Sequence, residues 1–167
     1  MPAAIRAGQR TTAHFIDADD EQIRASAEAG APVILVLRVK LEGEKLREIE
    51  LVSRLPVMGG RPFRFVYFGG GTPSFLSAKQ LTSLVDRLRA NIHWDQAEEV
   101  TFECEPGTVT EQKLAAIRAT GVTRLSLGVE SGSQEIIRNV DKKITVDEIL
   151  ASTALAKKWG LRVRYFM

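Results

Sequence analysis

The chain has 167 residues, 44% of them hydrophobic and 26% charged, enough for one ordinary globular core. Its 23 Lys and Arg against 21 Asp and Glu leave a formal charge of +2, too small to argue for nucleic acid or an acidic membrane surface. No apolar run reaches the length of a membrane span and no secretory signal opens the chain, so a cytoplasmic location is the default; one cysteine, Cys104, excludes an intrachain disulfide and any site with more than one thiolate.

Residues 1–62 carry the weaker signals. The first thirty are rich in Ala, Asp and Arg, with faint periodicity from Ile16 to Ala29. Ala31–Val39 reads as a strand, and Glu42–Leu55 as a helix carrying Leu46, Ile49 and Leu55. From residue 63 onward strands and helices alternate. Phe63–Phe68 has no turn former and four aromatics, the pattern of a strand covered on both faces. It runs into Gly69-Gly70-Gly71-Thr72-Pro73. Ser77 and Gln80 form a capping box for a helix with Leu81, Leu84, Val85 and Leu88 at helical spacing. Val100–Cys104 is a second strand, turned by Pro106-Gly107. Thr110 caps a helix bearing Leu114 and Ile117, and Gly121 stops it. Leu125–Val129 is a third strand, followed by a short helix with Ile136 and Ile137. Thr145 and Glu148 cap a helix ending at Gly160, and Arg162–Met167 is a fourth strand. There is no repeat of solenoid length and no low-complexity linker.

Such alternation implies an α/β fold with a parallel sheet, open or part of a barrel, built from right-handed crossovers. Ending on a strand with no covering helix makes the chain look cut short.

In α/β proteins ligands bind at the carboxyl ends of the strands. Here those ends carry the triple glycine, Glu103 and Glu105, and Glu130. Glycine lets a ligand approach backbone amides that no side chain shields. An ionised carboxylate between layers is costly unless paired or liganded. Together they suit a small ligand with ammonium, hydroxyl and carboxylate groups. Each element also has a plainer reading. The glycines can be only a turn, and Glu103 can pair with Arg64 or Arg124. Glu105 can be a solvated turn residue, and Glu130 can accept the amides of the next turn. Cys104 reads as a small buried apolar residue. His14 and His93 read as surface, and Lys142 and Lys143 as exposed charge or a partner for a ligand carboxylate. A Walker loop is excluded, and Gly69-x-Gly71-x-x-Ser74 lacks the third glycine of a dinucleotide fingerprint.

Three segments in this order, Tyr67–Ser74, Phe102–Thr108 and Arg124–Ser131, resemble the radical S-adenosylmethionine (SAM) superfamily. The resemblance covers about residues 63–167 and is nearest the oxygen-independent coproporphyrinogen III oxidase-like group, which includes a heme chaperone and radical SAM methyltransferases. It implies a partial (β/α) barrel of radical SAM type, truncated here, whose rim binds SAM beside a [4Fe-4S] cluster. By that resemblance Gly70, Gly71 and Thr72 contact the methionine moiety and Glu103 is a SAM-binding acid. Glu130 stands where the family often has Gln, Lys142 where the oxidase has Arg, and Met167 where Asp is expected. The family's Cys-x-x-x-Cys-x-x-Cys loop would fall near Asp20, Arg24 and Ala27, none of them a soft iron ligand.

The resulting expectation is a fragment, natural or truncated, of a coproporphyrinogen III oxidase-like radical SAM enzyme, inactive alone. SAM is its ligand, with porphyrin or heme a partner of the whole enzyme. The alternatives are a non-enzymatic SAM- or heme-binding module, a methyltransferase fragment, and a product that barely folds.

Overall fold

The computed structural model describes residues 13–15, 33–35, 54, 63–139 and 143–167. The chain divides into two units, Met1–Arg61 and Pro62–Met167. In the first, strands β1 (Ala13–Phe15) and β2 (Val33–Leu35) pair in parallel, with Ala13 opposite Val33 and Phe15 opposite Leu35. β2 falls within the strand expected over Ala31–Val39, whereas β1 is three residues long, too short to leave a period in the sequence. The periodic stretch Ile16–Ala29, the positions Asp20, Arg24 and Ala27, all but one residue of the helix expected over Glu42–Leu55, and Lys142 lie outside the described residues.

The second unit runs β3 (Phe65–Phe68), α1 (Ala78–Arg89), β4 (Glu99–Cys104), α2 (Glu111–Ala119), β5 (Arg124–Gly128), α3 (Gln134–Asn139), α4 (Val146–Lys158) and β6 (Arg162–Phe166). Short 3₁₀ turns, Pro73–Phe75 and Pro106–Thr108, follow β3 and β4. The strands form one parallel sheet in the order β3-β4-β5-β6, so each crossover moves the chain one strand across. No described helix is long and apolar enough to cross a membrane.

Register sorts the side chains into two faces, because alternate residues of a strand share a side. Phe68, Phe102, Leu125 and Val163 lie in one row, and Cys104, Leu127 and Tyr165 in the next. Phe102, Leu125 and Leu127 are buried with Leu81 and Val85 of α1 and Leu114 and Ile117 of α2 to form the core. Burying each such side chain contributes about 1.5–3 kcal/mol. The other face is polar. Tyr67, Thr101, Arg124 and Arg162 form one row, and Glu103, Ser126 and Arg164 the next.

That division corrects the reading of β3 as a strand covered on both faces. Phe65 and Tyr67 are 65% and 57% exposed, because they stand on the polar side, away from the helices. Aromatic content signalled a strand without saying which residues faced the core.

The helix ends follow the sequence closely. The Ser77 and Thr145 capping boxes both form, and Thr110 accepts from the Lys113 amide. Gly121 and Gly160 take φ +84° and +69°, the left-handed geometry that ends a helix.

Candidate functional site

The carboxyl ends of β3 and β4 bring the glycine loop and Glu103 together. Glu103 shares the polar face with Tyr67, and its carboxylate accepts from the Tyr67 hydroxyl at 2.5 Å and from the Gly70 amide at 3.2 Å. Burial and then the Glu103 carboxylate raise the Tyr67 phenol above its ordinary value, so Tyr67 stays a donor across the physiological range. A carboxylate offers about four lone-pair sites, so two remain for a ligand.

Gly69 has to be glycine. A Cβ there would meet Tyr67 Cε1 at 2.5 Å and Glu103 Cδ at 2.9 Å. Gly70 has φ +94°, and a Cβ on Gly70 or Gly71 would meet nothing within 4 Å. Open space beside bare backbone is what a ligand cradle requires. Thr72 precedes the first 3₁₀ turn, and its carbonyl accepts from the Phe75 amide at 3.0 Å.

Arg64 and Arg124 do not pair with Glu103, as one sequence reading allowed. Arg64 binds Glu98, and Arg124 binds Glu99 at 2.8 Å. Arg162 reaches the same Glu99 carboxylate at 3.2 Å, and Thr101 donates to it at 3.1 Å. Two guanidiniums and a hydroxyl thus converge on Glu99 at the amino end of the sheet, while Tyr67 and Gly70 hold Glu103 at the carboxyl end.

Glu105 is half-buried and its amide donates to the Ser74 hydroxyl at 3.1 Å, so it is not a freely solvated turn residue. Its Oε2 lies 3.7 Å from where a Gly128 Cβ would stand, which turns the carboxylate toward the end of β5. Glu130 follows β5 with φ +61°, the one described non-glycine residue at positive φ, and its amide donates to the Phe166 carbonyl at 3.1 Å. Such a conformation costs of order 1–3 kcal/mol and persists only where neighbours enforce it. Here the neighbour is β6.

Cys104 is buried, and burial pushes its thiol up to about 12, with Lys113 opposing and Glu103 adding to the shift. His93 and Lys143 are exposed. Among the described residues no three His, Cys, Asp or Glu side chains are grouped to hold a metal ion. A cluster held by three thiolates does not fit a chain with one cysteine, itself buried and protonated. The residues present are compatible with SAM: the space beside Gly70 and Gly71 is open, the Gly70 amide is engaged by Glu103, and the Glu103 carboxylate keeps acceptor sites that suit an ammonium or ribose hydroxyls.

Sequence reasoning missed Tyr67 as part of the site, and it placed Gly69 in the rim loop without its close approach to Glu103. Alternation along β3 could have placed Tyr67 on the Glu103 side, but the closeness of Gly69 to Glu103 depends on strand pairing, which a single sequence does not display.

A parallel β/α sheet with a glycine loop and carboxylates on its carboxyl rim places the chain among partial barrels of the α/β class. Residues 38–167 match the family model described as the Radical SAM superfamily, and the chain belongs to that superfamily. It is 33% identical over 113 residues to the oxygen-independent coproporphyrinogen III oxidase of Escherichia coli, covering 68% of this chain and 25% of the oxidase. It is 35% identical over 103 residues to the heme chaperone HemW of Escherichia coli, covering 62% of this chain and 27% of the chaperone. The chain thus spans about a quarter of the length of these relatives. The solved coproporphyrinogen III oxidase (HemN) of Escherichia coli superposes with TM-score 0.63 at 24% identity, over 90% of this chain and 31% of that one. An archaeal Elp3 from Methanocaldococcus infernus superposes with TM-score 0.54 at 17% identity, over 87% of this chain and 32% of that one. Both likenesses bear on the fold.

Proposed function

We propose that this chain is the SAM-binding part of a coproporphyrinogen III oxidase-like radical SAM domain, cytoplasmic, and catalytically inactive as it stands. The observation that carries the reading is the Gly70–Glu103 contact, which joins a bare-backbone loop and a carboxylate at one rim. Gly70, Gly71 and Thr72 would receive the methionine moiety. Glu103 would accept from the ammonium or ribose, with Glu130 at the end of the next strand and Lys142 as a further candidate. Bound SAM supplies a sulfonium whose reductive cleavage needs an electron from an iron–sulfur cluster. This chain has one thiol to offer such a cluster, and so binding is what remains to it. In the whole protein the same rim would serve hydrogen abstraction in a porphyrin-type oxidative decarboxylation.

Titrating the chain with SAM while following backbone amide shifts tests this reading. Saturable shifts at Gly70, Gly71 and Glu103, lost in Glu103→Gln, are expected; unmoved amides at millimolar SAM would overturn it. Iron and sulfide reconstitution should leave no cluster absorbance on the chain.

Similarity to a heme chaperone supports a second reading, a non-enzymatic heme-binding module. Saturable heme binding without SAM binding would favour it.

A further inference from the structure

Behind the glycine loop lies a hydrogen-bond knot that none of the ligand-facing residues explains. The Ser74 side chain is fully buried. Its hydroxyl receives the Glu105 amide at 3.1 Å and lies 2.6 Å from the Thr108 hydroxyl, which in turn lies 2.7 Å from the Glu105 carbonyl. Each hydroxyl has one proton. Every donor is used if Ser74 donates to Thr108 and Thr108 donates to the Glu105 carbonyl, which closes the knot into a ring.

Lys113, on the first turn of α2, completes it. Its ammonium donates to the Ser74 carbonyl at 2.5 Å and to the Leu76 carbonyl at 2.7 Å. The Ser152 hydroxyl of α4 donates to the Pro106 carbonyl at 2.7 Å and fixes the second turn from the other side. The turn after β3 and the turn after β4 are therefore held to one another, and these strands carry the two halves of the Gly70–Glu103 contact.

We propose that Lys113 is a positioning residue of the rim: by bridging the carbonyls of Ser74 and Leu76 it sets the glycine loop against the carboxylate end of β4. The inference rests on the SAM-binding reading for its functional consequence, and on the hydrogen bonds alone for its structural one. A charged donor to two carbonyls is stronger than a neutral one, and a lost donor leaves both acceptors in a part-buried place. A loop no longer held in its binding geometry must be ordered by the ligand, which lowers affinity without removing a ligand contact.

The test uses the full chain as wild type, Lys113→Met, Lys113→Arg, and Lys157→Met as a control for losing one exposed positive charge. Amide hydrogen exchange and SAM affinity are measured on each. In Lys113→Met, exchange at Phe75, Leu76 and Glu105 should accelerate while Leu125 and Leu127 keep their protection. SAM should bind roughly 10-fold more weakly, the scale of about 1.4 kcal/mol of lost preorganisation. Lys113→Arg, which still donates to carbonyls, should recover most of both, and Lys157→Met should change neither. Unchanged local exchange in Lys113→Met overturns the proposal, as does exchange that rises equally everywhere. If wild type binds SAM and Lys113→Met binds it equally well, the positioning role falls and the SAM reading stands. If wild type binds no SAM, that reading falls, and local exchange with its arginine rescue alone decides whether Lys113 holds the rim.

Discussion

Glu103 gains its orientation from two neighbours that contribute no charge. Tyr67 and the Gly70 amide hold the carboxylate at the rim, and Gly69 leaves room for it. Gly69→Ala should therefore push Glu103 and Tyr67 aside and weaken SAM binding by about 10-fold or more, with a smaller effect on Tm; calorimetric titration beside thermal unfolding separates the two. Cys104 gives a residue-scale prediction from its thiol, raised from 9.0 to about 12 by burial. The folded state keeps that proton longer than the unfolded state. The contribution to stability is present below pH 9 and is lost as pH rises toward 12. Alkylation of the thiol at pH 8 should track global unfolding, and iodoacetamide labelling across a urea series measures this. Early labelling in folded buffer would contradict it.

Among the elements, helix boundaries were the most legible part of the sequence, because capping is local. Ser77 with Gln80 and Thr145 with Glu148 each lie within one turn, and both boxes form as read. Thr145→Ala should cost about 1 kcal/mol, read as a shift in denaturation midpoint. Gly121 combines two demands, since its φ is +84° and a Cβ would meet Arg89 Nη2 at 2.8 Å. Arg89 also donates to the Thr120 carbonyl and lies over the Trp94 ring. Gly121→Ala should therefore destabilise by roughly 1–3 kcal/mol, with Gly107→Ala, at ordinary φ, costing less. Strands were legible as runs but not as faces. Phe65 and Tyr67 carried the signal of a core strand, yet their exposure follows from pairing with Glu99 and Thr101 on the polar side. The ion pairs of Arg64 and Arg124 were misplaced for the same reason: partner choice depends on register, and register is not a local property.

For the molecule as a whole, the sheet is asymmetric. One side is core, and the other presents Glu99, Glu103, Arg124, Arg162 and Arg164 with exposed aromatics between them. β6 pairs with β5 on one side and with no strand on the other among the described residues, and Tyr165, Phe166 and Met167 are exposed there. Such an edge is a template for pairing.

The contacts that build the rim also fix when it can exist. Gly70 waits 33 residues for Glu103, Ser74 waits 39 for Lys113, and Pro106 waits 46 for Ser152. The first closes within one crossover and the other two reach beyond it, so a chain emerging from synthesis has its glycine loop before everything that holds it is in place. Capacity to bind should therefore appear late and abruptly, once α4 docks, which makes ligand binding a clock for the last steps of folding.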